Sequence, residues 1–226
     1  MPLSPAEAVE IQNRLRDRVR REGNVSADTV GGADVSERAG IARAAIVVTR
    51  HLLPVEEAAV ESPVRFPYIP GLLAFREIPA LLGAWAKLRV RPDVLIVDGQ
   101  GIAHPRRFGI ASHLGVLLDQ PTIGCAKSRL VGRSEEPPPE RGAWTPLVDR
   151  GEVIGAALRT QTGRRVVYVS IGHRVSLETA IRVVLECSPR YRLPEPQRLA
   201  DRLSKSPPAA AEDRRRRREP SGRRPG

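Results

Sequence analysis

Asp98 stands directly after four apolar residues, Val94-Leu95-Ile96-Val97, at the carboxyl end of what reads as a buried parallel strand. Open α/β sheets place their ligands at that end. Asp34 follows the small residues Gly31-Gly32-Ala33 at the end of an earlier β-rich run, and Glu77 precedes Pro79 at an expected helix start. Each acid alone has a plainer role. Asp98-Gly99 can simply begin a turn, and Glu77 can offset a helix dipole, worth about 0.3–1 kcal/mol. Brought together, the three would repel one another and need a cation, and hard oxygen ligands with vacant positions for water and phosphate suit Mg²⁺, with Mn²⁺ as a substitute. His104 lies six residues after Asp98 in a loop continued by Pro105-Arg106-Arg107, and Lys127 ends the stretch Gly124-Cys125-Ala126-Lys127. An imidazole can move a proton or touch phosphate at neutral pH, and an ammonium can stabilise the added charge of a pentacovalent phosphate. The five residues together describe a metal-dependent phosphoryl-transfer site.

The elements that must position them follow from spacing. Ser4, Pro5 and Glu7 form a helix start with a capping box, and Ala8, Ile11, Leu15 and Val19 give that helix an apolar stripe among arginines. From Val30 to about Val64 the pattern is β-rich and predicts three neighbouring strands in a meander. Leu81, Leu82, Trp85 and Leu88 predict a helix after Pro79, ended by Pro92, and then comes the strand before Asp98. A second helix–strand unit spans Ile110 to Leu118 and Thr122 to Cys125, which implies parallel pairing. Val153 to Leu158 and Val166 to Ser170 predict a hairpin that extends the sheet, and Ser176 caps a final helix that completes the core. The fold class is therefore α/β, a mixed central sheet flanked by helices.

With 226 residues, 41% of them hydrophobic, the chain can fill one sizeable core. The expected organisation is a catalytic domain over residues 1–203 and a disordered Arg-rich tail over 204–226, where eight basic residues face three acids. The net charge of +11 argues for an anionic partner, nucleic acid first, although ribosome-associated and membrane-surface proteins share such a composition. Cys125 and Cys187 lack both disulfide-framework and metal-ligand spacing and read as buried residues of a reducing compartment. No stretch approaches the roughly 20 apolar residues of a membrane span. A cytoplasmic monomer without membrane contact is expected.

Several ordered motifs carry a resemblance. PYIPGLLAFRE at 67–77, PDVLIVDGQGIAHPRR at 92–107, FGIASHLGV at 108–116, PTIGCAK at 121–127 and GHRVS at 172–176 closely resemble endonuclease V. The resemblance runs from about Ala33 to Pro196 and implies an RNase H-like fold. It further implies cleavage of the second phosphodiester bond 3′ of deoxyinosine, leaving 3′-hydroxyl and 5′-phosphate ends, in DNA or alternatively in inosine-containing RNA. By the family pattern Asp34, Glu77 and Asp98 are metal carboxylates, His104 is a second catalytic group and Lys127 a phosphate contact. Tyr68, with Pro67, Ile69 and Gly71 around it, corresponds to a rigid wedge that holds a duplex open while the lesion enters a pocket. The backbone of Gly99, Gly101 and Ile102 is expected to approach the lesion. Gln100 departs from the bacterial pattern, which has histidine there, and His173 is a secondary candidate, structural or close to the site. A non-catalytic nucleic-acid binder is the rival from another class.

Overall fold

The computed structural model describes residues 3–206. Its first three strands, β1 (Thr29–Arg38), β2 (Ile41–Arg50) and β3 (Leu53–Pro63), form the expected antiparallel meander. The first hairpin turns through Ala39 and Gly40, both at positive φ, which matches the right-handed twist of the strands it joins. Strand β4 (Val94–Val97) is buried at every position, as a strand covered on both faces must be. It pairs in parallel with β1, Val30 opposite Val94 through Ala33 opposite Val97. That register places the next residue of each strand, Asp34 and Asp98, side by side, and Asp98 N–H donates to the Ala33 carbonyl at 2.9 Å.

Helix α2 (Ala74–Ala86) precedes β4, and its Ile78 and Leu81 pack with Ala33, Ile46 and Leu95. The helix starts ahead of Pro79 rather than after it. Pro79 lies within the helix with its ring exposed, so the chain accepts the lost backbone bond where the ring meets solvent. Glu77 consequently sits inside the helix. Helix α3 (Ile110–Leu118) and strand β5 (Thr122–Ala126) follow, and β5 pairs in parallel with β4.

Beyond β5 the sheet gains more than the expected hairpin. β6 (Trp144–Asp149), β7 (Glu152–Leu158) and β8 (Val167–His173) complete an eight-stranded sheet in the order β3-β2-β1-β4-β5-β8-β7-β6. β7 and β8 are the predicted hairpin, and β6 is an edge strand that the sequence reading passed over. Helix α4 (Leu177–Glu186) is capped by Ser176 as expected, and its Ala180, Ile181, Val183 and Val184 join the core beneath β8.

That helix does not complete the core. A further helix, α5 (Glu195–Ser204), lays Leu199, Ala200 and Leu203 on Ala45 and Val47 of β2. It crosses β1 at Gly32, where a Cβ would lie 2.1 Å from the Pro196 backbone. Ser204, where the tail was expected to start, is the last residue of this helix, and 207–226 lie outside the described residues. At the other terminus α1 (Pro5–Leu15) carries the predicted capping box. Its buried positions are Ala8 and Gln12, while Ile11 and Leu15 stay half-buried. Both cysteines are buried and free. Among the described residues no helix is long and apolar enough to cross a membrane.

Candidate active site

Just past the end of β4, one carboxylate oxygen from each of Asp34, Asp98 and Asp201 lies within 4.8 Å of the others, and Asp34 sits within β1 rather than at its end, because the strand continues to Arg38 in its pairing with β2. The two strands present the first pair and α5 brings the third across the sheet. Burial, then a hydrogen bond with Asp98 and the charges of Asp98 and Asp201, pushes the Asp34 carboxyl up to about 7. The Ser204 hydroxyl opposes this by donating to Asp34 Oδ2 at 2.6 Å. Glu77 faces the same charge from α2: burial and the carboxylates of Asp34 and Asp98 push it up to about 8. It belongs to the electrostatic cluster without being among the three oxygens that converge most tightly.

Lys127, just past β5, donates to Asp98 Oδ2 at 2.6 Å and lies 3.3 Å from Asp201 Oδ1. Burial works against its charge, but the bond to Asp98 and the two aspartate charges outweigh it and hold the ammonium above the ordinary lysine range. Lys205 donates to Asp201 Oδ1 at 2.7 Å. The converging ligands are hard oxygens with no thiolate or imidazole among them, and Asp34 is held partly neutral by burial and by its acidic neighbours, so the donor set fits a divalent cation such as Mg²⁺ or Mn²⁺.

Beside the acids is a cavity of about 400 Å³. Tyr68, Ile69, Gly71, Gly99, His104 and Lys127, all singled out from the sequence, line it together with Asp98. Tyr68 is 70% exposed on its rim. Pro67 lies in the same loop but outside the lining. Gly101 and Ile102 do not face the cavity. Their N–H groups are already spent on Ser170 Oγ at 2.8 Å and on the Ile171 carbonyl at 2.8 Å. A Cβ at Gly101 would lie 1.9 Å from that carbonyl oxygen, so the glycine serves packing against β8. Gln100 lines the cavity, its amide nitrogen bonded to the Ser128 carbonyl at 2.9 Å.

Both candidate histidines are engaged in hydrogen bonds at each ring nitrogen. His104 Nδ1 accepts from Arg106 N–H at 3.2 Å, which leaves Nε2 to donate to the Gly71 carbonyl at 3.0 Å. Burial and the Arg106 charge bring its pKa down to about 4, so the ring is neutral and occupied at both nitrogens. His173 pairs with Thr122, at the end of β5 opposite Lys127. There its ring accepts from Arg20 N–H at 3.2 Å and meets Asp119 at 3.2 Å, tying down the segment after α1.

Asp201 and Ser204 escaped the sequence reading. Their spacing was the available signal: on a helix whose Leu199, Ala200 and Leu203 face the sheet, Asp201 and Ser204 stand one turn apart.

Helices on both faces of a mixed sheet, with acids gathered where its paired central strands β1 and β4 meet, are the α/β arrangement that the resemblance implies, an RNase H-like fold with a metal-type acid cluster. Residues 12–202 match the profile of Endonuclease V. Endonuclease V of Roseiflexus sp. (strain RS-1) is 57% identical over 206 residues, covering 90% of this chain and 93% of that protein. The crystal structure of the Endonuclease V from Streptomyces avermitilis is 42% identical and superposes with a TM-score of 0.88 over 95% of this chain and 96% of that one. Ciona intestinalis Endonuclease V, in complex with a 24mer DNA containing an inosine followed by a ribo-adenosine, is 30% identical, with a TM-score of 0.78 over 92% of this chain and 98% of that one. The chain belongs to the endonuclease V family.

Proposed function

We propose that this chain is a DNA repair endonuclease that admits a deaminated base, deoxyinosine foremost, into the cavity behind Tyr68. It then hydrolyses the second phosphodiester bond on the 3′ side, leaving 3′-hydroxyl and 5′-phosphate ends. The observation that carries this is the adjacency of two features, the acid cluster of Asp34, Asp98 and Asp201 and a cavity of about 400 Å³ that shares Asp98 with it and is also lined by Lys127. Asp34 and Asp98 would hold Mg²⁺, with Asp201 and Glu77 completing the negative environment. A cation held there supplies Lewis-acid charge to the phosphoryl oxygens.

The chain's own groups do the rest. Lys127, held beside Asp98, is in position to offset charge that accumulates on the phosphate. His104 acts on this reading by holding the Gly71 loop, because a neutral ring engaged at both nitrogens has no proton position to spare. Tyr68 lies between two open strands, where its exposed ring replaces the stacking that the extruded base gives up.

The inosine-bearing strand bound by the Ciona relative continues with a ribonucleotide, which favours a second reading, action on inosine in RNA. The same test separates the two. Inosine, uracil and undamaged duplexes, with matched single-stranded DNA and RNA carrying one inosine, are incubated with Mg²⁺, Mn²⁺ or a chelator. Metal-dependent nicking strongest on inosine DNA and absent on undamaged duplex is expected, and stronger cleavage of the inosine RNA would favour the second reading; binding without cleavage in either metal overturns the nuclease reading. The buried free thiols suit the cytoplasm.

A further inference from the structure

The carbonyl of Gly71 receives three hydrogen bonds, from Gln12 Nε2 at 3.0 Å, His104 Nε2 at 3.0 Å and Arg106 Nη2 at 2.6 Å. Gly71 is the third residue of a turn closed by Leu72 N–H to the Ile69 carbonyl at 2.9 Å. Pro70 precedes it and its φ is +80°, the signature of a type II turn. A side chain there would be strained at that φ, and its Cβ would come within 2.9 Å of Arg106 Nη2. Both ends of the Gly71–Leu72 peptide are thus fixed, directly after the segment that presents Tyr68.

Gln12 is the unexpected member. It is 1% exposed, on a helix whose other polar residues face solvent. Its amide is used at both ends: Nε2 also donates to the Phe108 carbonyl at 3.2 Å, and Oε1 accepts from Arg106 Nε at 2.5 Å. Among the described residues Arg106 has no carboxylate partner, so Gln12 Oε1 and the Gly71 carbonyl are the acceptors that hold its guanidinium. Next to this network Ala8 of α1 packs against Phe66 and Leu72, which flank the loop on either side.

We propose that α1 is the buttress of the Tyr68 loop and that Gln12 is a positioning residue for it, setting how firmly the exposed Tyr68 can part a duplex. This rests on the wedge reading of Tyr68. A ring that is mostly in solvent gains no rigidity from its own packing, so its position is inherited from the backbone anchored on either side of it. An anchor of this kind matters for a paired substrate, which must be opened, and little for a single strand, which is already open.

The test compares full-length wild type, Gln12→Leu and Tyr68→Ala on an inosine duplex and on the same inosine strand unpaired. Gln12→Leu is expected to lower the duplex-to-single-strand ratio of cleavage rates by about tenfold, the size of one lost buried hydrogen-bond set. In parallel, ¹⁹F spectra of protein labelled with fluorotyrosine should show the Tyr68 resonance, assigned by Tyr68→Phe, altered in Gln12→Leu while those of Tyr168 and Tyr191 hold. If Gln12→Leu does not fold, Gln12→Glu, which keeps the acceptor for Arg106 and loses both donated bonds, is measured in its place. A ratio unchanged from wild type, or equal losses on both substrates, overturns the positioning role while leaving Tyr68 as the wedge if Tyr68→Ala still loses duplex cleavage selectively. A Tyr68→Ala variant that cuts duplex as well as wild type overturns the wedge reading itself, and the role of Gln12 with it.

Discussion

The two walls of the cleft are built on opposite plans. On the acid side Asp34 and Asp98 are set by a strand register, Ala33 opposite Val97, in the most buried part of the sheet. Their backbone could hardly be more fixed, and the cost is electrostatic: burial first, and then the neighbouring carboxylates, push Asp34 up to about 7 and Glu77 up to about 8. On the loop side there is no strand and little burial of Tyr68, and position comes from side chains converging on one carbonyl. One wall is geometrically rigid and electrostatically unsatisfied; the other is satisfied in its hydrogen bonds and rigid only through them. The first needs a ligand to become comfortable, and the second needs its anchors to remain in place.

The largest effects should come from breaking the strand-borne wall. Asp98→Asn keeps the shape and removes a charge from the centre of the cluster. The expected outcome is a loss of about 10³-fold or more in the nicking rate, since a bound cation contributes several kcal/mol and each 1.4 kcal/mol is tenfold. Binding of an inosine duplex, measured by gel shift or anisotropy, should stay within a few-fold. Near-normal nicking would remove Asp98 from the metal centre. Asp201→Asn alters the helix-borne acid, which Lys127 and Lys205 already partly neutralise. Its expected loss is smaller, about 10- to 100-fold, and recoverable in part by higher Mg²⁺ or Mn²⁺. A loss as deep as that of Asp98→Asn, with no metal rescue, would place α5 on equal footing with the strands.

The electrostatic cost has a sign that can be read without substrate. Asp34 and Glu77 hold their protons in the folded chain to about 7 and about 8, against ordinary values of 3.8 and 4.5. Between these limits the unfolded chain has released protons that the folded chain retains, so metal-free stability falls as pH rises from about 4 to about 8, by on the order of a few kcal/mol. Mg²⁺ should raise the melting temperature most at pH 8 and little at pH 5, where protons already occupy the carboxyls. A melting temperature flat across this range without metal, or an equal Mg²⁺ effect at both ends, would mean the acids are not held protonated by burial and crowding as the geometry implies.

How much of this was legible in the sequence follows the same division. The strand-borne wall was readable because Val94-Leu95-Ile96-Val97 is an unbroken apolar run bounded by Pro92 and Asp98, and such a run has few places to go except the middle of a sheet. The meander, the α3–β5 unit and the Ser176 cap were readable for similar local reasons. Helix α5 was not. Pro194 and Pro196 look like breakers, although they sit where a helix start tolerates them, and its few apolar residues are separated by charged ones. With α5 hidden, Asp201 and Ser204 were hidden too. In Gly99-Gln100-Gly101 the need for small residues was legible but not what approaches them: at Gly101 it is the β8 backbone at Ile171, while Gly99 lines the cavity. Gln12 gave no signal because a glutamine among arginines reads as surface; its burial is created by Gly71 and Arg106, far away in sequence.

The smallest effect tests whether the two plans are really separate, because the acid wall also contains one side-chain anchor of the loop kind. Ser204 Oγ donates to Asp34 Oδ2 at 2.6 Å and itself lies at the end of α5. That bond favours the charged carboxylate and pulls the Asp34 pKa down against burial. Ser204→Ala removes the pull, so Asp34 keeps its proton to higher pH and a cation must compete harder for it. Nicking at fixed Mg²⁺ should fall only a few-fold, about 3- to 10-fold, near pH 7 and return toward wild type as the pH is raised to about 9, shifting the acid limb of the profile in the alkaline direction. If the loss were instead the same at every pH, Ser204 would be holding Asp34 in place rather than tuning its charge, and the acid wall would depend on side-chain anchoring as the Tyr68 loop does.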